Sequence, residues 1–489
     1  MLSTALLLAI PLGMAQAPVS PQEVFISSRQ GDDQSGDGTQ NKPFRSIHQA
    51  LQAQDRQADR PLKLILDIGR YDAEHGEVFP LRLPPGTHLW GWTPEYTLLD
   101  GGGTETLLVL EDGSTDSTFR LQSLRLQNAG TAVAAGDGSS RSAIQLQTRD
   151  VQIEQCGNAI AGLGSAPGDR ADLSFSRFRN CRAGLWLQGS GPLALELKEC
   201  DFEDNQDGVL VQGDFRSSPS WRLNHCRFRR QKRHGLFVDG SFGQGPAQGL
   251  HLVSCQFEGN GEGGLSLTVP AGDTPIRVQA CQFRYNRLFG LGLAGRNPGS
   301  GTSVVEDCLF ISNGVGLHLA QVQMPMQIRR CRIQGNVGNG IFAASSPVVS
   351  CRVQVSACLL VENGSSGFYG LSDGLGLQAT LASCTIAGNR ASGVERRDKH
   401  KGSSEFQLLD CLVSDNALNL KNILAEELRH CQVNFFPLDE ESGTGNFAGE
   451  AAFVNPQAGD YRLKTGSQAR RRGIGAPPDL MDRWYARPR

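Results

Sequence analysis

One phrase recurs down this chain and leaves few folds open to it. Cys255-Gln256-Phe257 is followed by Asn260 and Gly264-Leu265-Ser266-Leu267, and Cys281-Gln282-Phe283 by Asn286 and Gly290-Leu291-Gly292-Leu293. Cys308 leads in the same way to Phe310, Asn313 and Gly316-Leu317-His318-Leu319. Cys200 opens an earlier copy with Phe202, Asn205 and Gly208. Cys331, Cys358, Cys384 and Cys411 open later ones with Asn336, Asn363, Asn389 and Asn416. From Cys255 to Cys411 the interval stays between 23 and 27 residues. A fixed period of this length marks a repeat architecture, in which each unit buries its apolar face against its neighbours.

The phrase can be read as geometry. An apolar residue stands three places before each Cys, from Leu197, Leu223 and Leu252 to Leu381 and Leu408. A strand alternates its faces, so an odd step between two inward residues requires a bend before the Cys. Cys and the Phe two places on then share the inward face. Asn is expected to take the next turn, because it tolerates the left-handed conformation. Gly-Leu-x-Leu is a third strand. Apolar spacing of two rather than three or four excludes a helical repeat. Three short strands per period make one coil, and coils stack at roughly 4.8 Å. The Cys-x-Phe-x-x-Asn-x-x-Gly-Leu-x-Leu phrase resembles the right-handed parallel β-helix of the pectate-lyase-like superfamily, over about two thirds of the chain. The resemblance implies an all-β solenoid with N- and C-terminal caps. It implies polysaccharide binding or processing only loosely, because function sits in sites grafted on a fold.

The chain divides into residues 1–17, 18–115, 116–434 and 435–489. Met1 to Ala17 has an apolar stretch from Leu6 to Met14 and a small-x-small Ala15-Gln16-Ala17, although it lacks an early Lys or Arg. This is the pattern of a signal peptide and predicts a secreted, periplasmic or cell-envelope protein. No other stretch is long enough to span a membrane. Residues 18–115 form an N-terminal cap and first coils, with a strand at Val24–Ser27 and a short helix capped by Ser46. This region resembles an uncharacterised family found at the head of such β-helices, through Gly31, Asp32, Gly36, Gly38, Phe44, Tyr71, Gly76, Glu77 and Pro80. Asp32, Asp33 and Asp37 in a Gly-rich loop are a candidate calcium site, but the spacing is not that of an EF-hand. Turns select Asp and Gly in any case. No other cofactor is indicated.

In the first coils Val151 and Ser176 take the Cys slot, and Cys156 and Cys181 take the Asn slot. After Asn416 the phrase dissolves, and Ala417 to His430 is expected to form a helix that closes the solenoid. The tail Phe453-Val454-Asn455-Pro456, Gly459-Asp460-Tyr461 resembles the closing segment of secreted β-helix proteins, which usually continues with Pro and Asp. Gln468 and Arg471 stand there instead.

Thirteen Cys in an exported chain would ordinarily suggest disulfides. Here nearly all recur at one slot per coil with parallel side chains, which suits a bridge poorly. A ladder of buried thiols is expected, with an Asn ladder beside it. No Cys-x-x-Cys pair occurs, so no metal site is assigned. Glu203, Arg229, Glu258 and Arg284 succeed one another down the coils as a charge ladder. The Asn-Thr-Asp, Gly-His-Gly and Arg-Ile-Lys motifs of polygalacturonases and the Asp-Pro-His-Asp motif of alginate epimerases are absent. The pectate-lyase Arg-x-Pro-x-x-Arg is matched only by Arg216 to Arg222, one residue too long. Catalytic residues are therefore not assigned, and whether the chain is a lyase, a hydrolase or a non-catalytic structural or adhesive module stays open.

What remains is surface. The outward residue of each third strand gives a strip, Trp186, Leu210, Phe237, Ser266, Gly292, His318, Phe342. Such aromatics can stack on sugar rings, or pack under the variable loops that follow each strand. Two basic clusters stand out, Arg227 to His234 and Arg396, Arg397, Lys399, His400 and Lys401. With a net charge of −3 they are local fields, and a strongly basic nucleic-acid binder is excluded. Trp186, Phe237, His318, Arg396, Arg397 and Lys399 are the candidate binding residues, for a polysaccharide that the basic residues would favour if anionic.

Overall fold

The computed structural model describes residues 20–53, 60–113, 117–136, 142–189, 193–213, 220–240, 249–268, 275–295, 301–323, 325–400, 403–434 and 445–486. The leader pattern of residues 1–17 lies outside them, as do Arg216 to Pro219, Lys401 and most of the loops after the earlier third strands.

The chain winds as a right-handed parallel β-helix with three strands per coil. In one coil these are Gly249–Val253, Gln256–Glu258 and Gly263–Thr268. Each pairs in parallel with its counterpart one coil on, Ile276–Gln279, Gln282–Arg284 and Phe289–Ala294. The first-strand sheet already begins at Gln22–Ile26, paired with Leu62–Leu66. The helix expected after Ser46 spans Ile47–Ala53, and the Ser46 hydroxyl accepts the Gln49 N–H at 3.0 Å. Asp32 and Asp37 accept backbone N–H groups of their own loop, from Gln34 and Ser35 and from Thr39. The backbone bonds hold the Asp32 carboxyl below its ordinary pKa, and the Thr39 hydroxyl, donating at 2.7 Å, does so first for Asp37 with the Thr39 N–H beside it. Asp33 accepts from the N–H groups of Arg45 and Ser46.

Why the phrase takes this shape is visible inside a coil. Cys255 and Phe257 are both fully buried. Phe178, Phe202, Phe228, Phe257, Phe283 and Phe310 stack ring on ring, with centroids 4.7–4.9 Å apart and planes within 13°. The Gly of Gly-Leu-x-Leu makes room for this stack: a Cβ on Gly290 would lie 2.9 Å from the Phe283 and Phe310 side chains and from the Gly316 carbonyl. All thirteen cysteines are buried free thiols.

The turns correct one detail of the sequence reading. The left-handed residue is not the Asn but the residue before it: Tyr285, Ser312 and Glu362 have φ of 56–57°. The residue before the Cys that opens each repeat is also left-handed, as at Ser254, Ala280 and Asp307, each with φ 54°. Each such residue costs roughly 1–2 kcal/mol of backbone strain. The following Asn is buried and works between coils. Asn286 Nδ2 donates to the Phe257 carbonyl at 3.0 Å and to Asn313 Oδ1 at 2.9 Å, and the Asn286 N–H donates to the same oxygen at 3.1 Å.

Ala417 to His430 is not a helix. Leu418–Lys421 adds a strand to the third sheet and Leu428–Arg429 one to the first, with a single 3₁₀ turn at Ala425–Glu427 between them. An unpaired parallel edge offers this segment hydrogen bonds at once, and Asn419 extends the amide ladder by accepting from Asn416 at 3.0 Å. The charge ladder is also shorter than its sequence. Glu203 pairs with Arg179 and, at 3.2 Å, with Arg229, but Glu258 makes no ion pair among the described residues.

The solenoid is finished by residues 445–486, which fold back along the outward face of the second-strand sheet. Phe447, Phe453, Tyr461, Ile474, Leu480, Met481 and Trp484 bury the outward Leu359, Val361, Ala387 and Leu412. The Ala476 N–H donates to Thr385 Oγ1 at 2.9 Å. Its short helices are Gln468–Arg472 and Pro478–Ala486. Among the described residues no helix is long and apolar enough to cross a membrane.

Glu77 ties the N-terminal helix down. Its buried carboxylate accepts the N–H groups of Ile47 at 2.7 Å and His48 at 3.0 Å. Burial outweighs those two bonds, with Asp33 and Asp72 adding repulsion, and pushes the carboxyl up to about 7 from 4.5. The native state therefore holds this proton more tightly than the unfolded chain. Stability from this group is fully present below pH 4.5 and is lost as pH rises through 7, a swing of about 3 kcal/mol. Denaturant melts across this window should show the decline in wild type and a flatter profile in Glu77→Gln.

Candidate functional site

The third strands form one parallel sheet, and their outward residues stand in register. One column runs Trp186, Leu210, Phe237, Ser266, Gly292, His318, Phe342, Tyr369 and Glu395. Alternation along each strand puts them there: their neighbours on either side, such as Leu317 and Leu319, are fully buried. The side chains in the column from Trp186 to Tyr369 are half-buried, save Gly292, which is covered.

Gly292 breaks the strip in sequence but not in space. Phe289, three residues earlier in the same strand, lies across it, so that a Cβ on Gly292 would meet that ring at 2.5 Å. Phe289, His318, Phe342 and Tyr369 then form a continuous run over four coils, with centroid separations of 5.9, 4.9 and 5.7 Å. Burial lowers the His318 pKa below its ordinary value, so this ring is a neutral member of the run near pH 7. Sequence reasoning missed Phe289, which sits outside the outward slot, and Tyr369, because Gly367-Phe368-Tyr369-Gly370 replaces Gly-Leu-x-Leu. Counting the period forward from His318 and Phe342 would have found Tyr369.

Trp186 and Phe237 stand in the same column but apart from this run, beyond Ser266. The Arg182 guanidinium covers one face of Trp186 at 4.8 Å, and the indole N–H points to Gln212 Oε1 at 3.4 Å. Phe237 packs on His234 at 4.7 Å. His234 is buried between Asp207 at 3.5 Å and Glu262 at 3.2 Å, and Arg233 lies 3.7 Å from each carboxylate.

The basic clusters are largely paired. Arg227, Arg229 and Arg230 serve Asp201, Glu203 and Asp204. Arg396 is turned inward over Phe406 and held by Glu427 at 2.6 Å. Lys399 pairs with Asp373 at 2.6 Å. Arg397 is exposed and makes no ion pair among the described residues. It stands in register with Leu371, on the same sheet as the aromatic run. At the end of the column Glu395 accepts from Lys421 at 2.8 Å and from the Ser366 hydroxyl at 2.9 Å. Burial would raise this carboxyl, but those partners outweigh it and hold its pKa low. Among the described residues no group of three or more His, Cys, Asp or Glu side chains is arranged to hold a metal.

Solved structures of similar architecture include the periplasmic alginate epimerase AlgG, at 12% identity over 76% of this chain and 89% of that one, with a TM-score of 0.42. The Azotobacter vinelandii mannuronan C-5 epimerase AlgE4 A-module matches at 14% identity over 87% and 100%, with a TM-score of 0.33. A PL6 family alginate lyase, AlyGC, matches at 12% identity over 89% and 56%, with a TM-score of 0.41. No curated protein matches the sequence. Residues 29–134 match the family model described as a protein of unknown function (DUF1565). Residues 109–277 and 271–378 match the model of the right handed beta helix region. That second match spans more than half of the 489 residues and agrees with the coil seen in the structure, so the chain belongs to the right-handed β-helix family.

Proposed function

We propose that this is an exported, polysaccharide-binding protein whose ligand lies along the third-strand sheet, across the coils. The observation that carries the reading is the continuous run of half-buried rings from Phe289 to Tyr369 on a rigid, flat sheet. Aromatic faces offer large contact area at little entropic cost, and repeating sugar rings present apolar faces that such a ladder can match. The leader pattern of residues 1–17 supports export. Among the described residues the strip carries no free carboxylate, because Glu395 is held by Lys421, Ser366 and Ser392. Stacking, rather than charge, dominates affinity, since most basic side chains near the sheet are already paired.

The test is a glycan array, with a parallel assay for new reducing ends and unsaturated uronates. His318→Ala combined with Phe342→Ala removes two stacking partners worth about 0.5–1.5 kcal/mol each, so affinity should fall by about 5- to 150-fold. Affinity should change little between low and physiological salt. Unchanged binding by the double variant refutes the strip. A steep fall with salt and loss in Arg397→Ala would place the ligand on the basic rim, as an anionic glycan.

A further inference from the structure

A second site lies on a different sheet, where the C-terminal helix Pro478–Ala486 stops short on the second-strand face. A cleft of about 270 Å³ opens there, lined by Arg284, Tyr285, Arg332, Gln334, Glu362 and Trp484 over an apolar floor of Leu309 and Ile311. One wall is fixed in advance. Arg332 donates from Nε to Gln334 Oε1 at 2.7 Å and from its guanidinium to the Trp484 carbonyl at 3.2 Å, while stacking on Tyr485 at 4.8 Å. Gln334 donates in turn to Glu362 at 2.7 Å. On the opposite wall the side chains make no hydrogen bond or ion pair among the described residues. Arg284 has no carboxylate within 4.0 Å among the described residues, and its Nε is sealed from solvent without an acceptor. Tyr285 is 58% exposed at the mouth, held there by the left-handed turn at φ 56°.

The guanidinium lines the cleft without an anionic partner among the described residues, and a planar carboxylate fits its fork. Glu362 across the cleft repels a dianion and attracts hydrogen-bond donors. The volume equals that of about nine waters at about 30 Å³ each, room for one ring or one amino acid. From this we infer that the cleft binds a small monocarboxylate that also carries hydroxyl or ammonium donors, its carboxylate on Arg284, its donors toward Glu362 and its apolar face on Tyr285. Sugar acids and α-amino acids share this chemistry.

Calorimetric titration of the full chain with glucuronate, alanine, glucose and sulfate tests the inference. Glucuronate or alanine should bind, each naming the source, and glucose and sulfate should not. Arg284→Gln should lose about tenfold or more, the loss of a charge-assisted bond. Tyr285→Gly, which relieves the left-handed strain and so preserves folding, should also weaken binding. Glu362→Gln should let sulfate in. The His318→Ala, Phe342→Ala double variant should bind as wild type, which separates this cleft from the aromatic strip. Equal binding of glucose, no binding of either carboxylate, or wild-type affinity in both Arg284→Gln and Tyr285→Gly would overturn it.

Discussion

Phe283→Ala is expected to cost about 3–5 kcal/mol, among the largest effects a single substitution can have in this chain. Its ring is fully buried and stacks on Phe257 at 4.9 Å and Phe310 at 4.8 Å, so truncation opens a cavity and breaks the stack on both sides at once. The neighbours cannot collapse into the space, because strand pairing fixes the coil spacing above and below. Phe283→Leu should cost clearly less, since it keeps most of the volume. Denaturant unfolding of the two variants beside wild type is the measurement, and a thermally neutral Phe283→Ala would show that the ring does not support the stack.

Asn313→Ala should be of comparable size for a different reason. Its Oδ1 accepts the Asn286 N–H at 3.1 Å and Asn286 Nδ2 at 2.9 Å, while its Nδ2 donates to the Phe283 carbonyl at 3.0 Å and to Asn336 Oδ1 at 3.1 Å. Removing the amide leaves several buried polar groups unpaired, at about 1–3 kcal/mol apiece, so a total of about 3–6 kcal/mol is expected. Amide hydrogen exchange should localise the damage: the Asn286 N–H should lose protection far more than amides several coils away, because each coil contacts only its neighbours. Uniform loss along the whole solenoid would contradict a locally acting ladder.

Much of the fold could be read from the residues because the coil is a short-range object. Cys, Phe and Gly-Leu-x-Leu each face a copy of themselves one period away, so periodicity alone locates the inward face. The left-handed residue escaped that logic. Asp204, Arg230, Tyr285, Ser312 and Glu362 share no chemistry, and their backbone is held by the neighbouring coil rather than by their own preference. Ala417 to His430 was misread for a related cause: local propensity pointed to a helix, but the open edge supplied strand partners that the segment alone does not reveal. At the candidate site, alternation placed Trp186, Phe237 and His318 in one column. It did not show that Arg396 is occupied, since its partner Glu427 lies 31 residues away across a turn of irregular length. Nor did it show the cleft, which joins Tyr285 to Trp484 through a segment folding back over several coils.

That fold-back has a consequence for how the molecule is made. Each coil can stack on the one before it as the chain emerges, but Leu359, Val361 and Leu412 face outward and are covered only by residues that follow all the coils. Until residues 445–486 dock, a nearly complete solenoid carries an apolar stripe down one side, the kind of surface that recruits chaperones, proteases or other copies of itself. A chain cut short within this segment is therefore expected to keep correctly wound coils while leaving that stripe exposed.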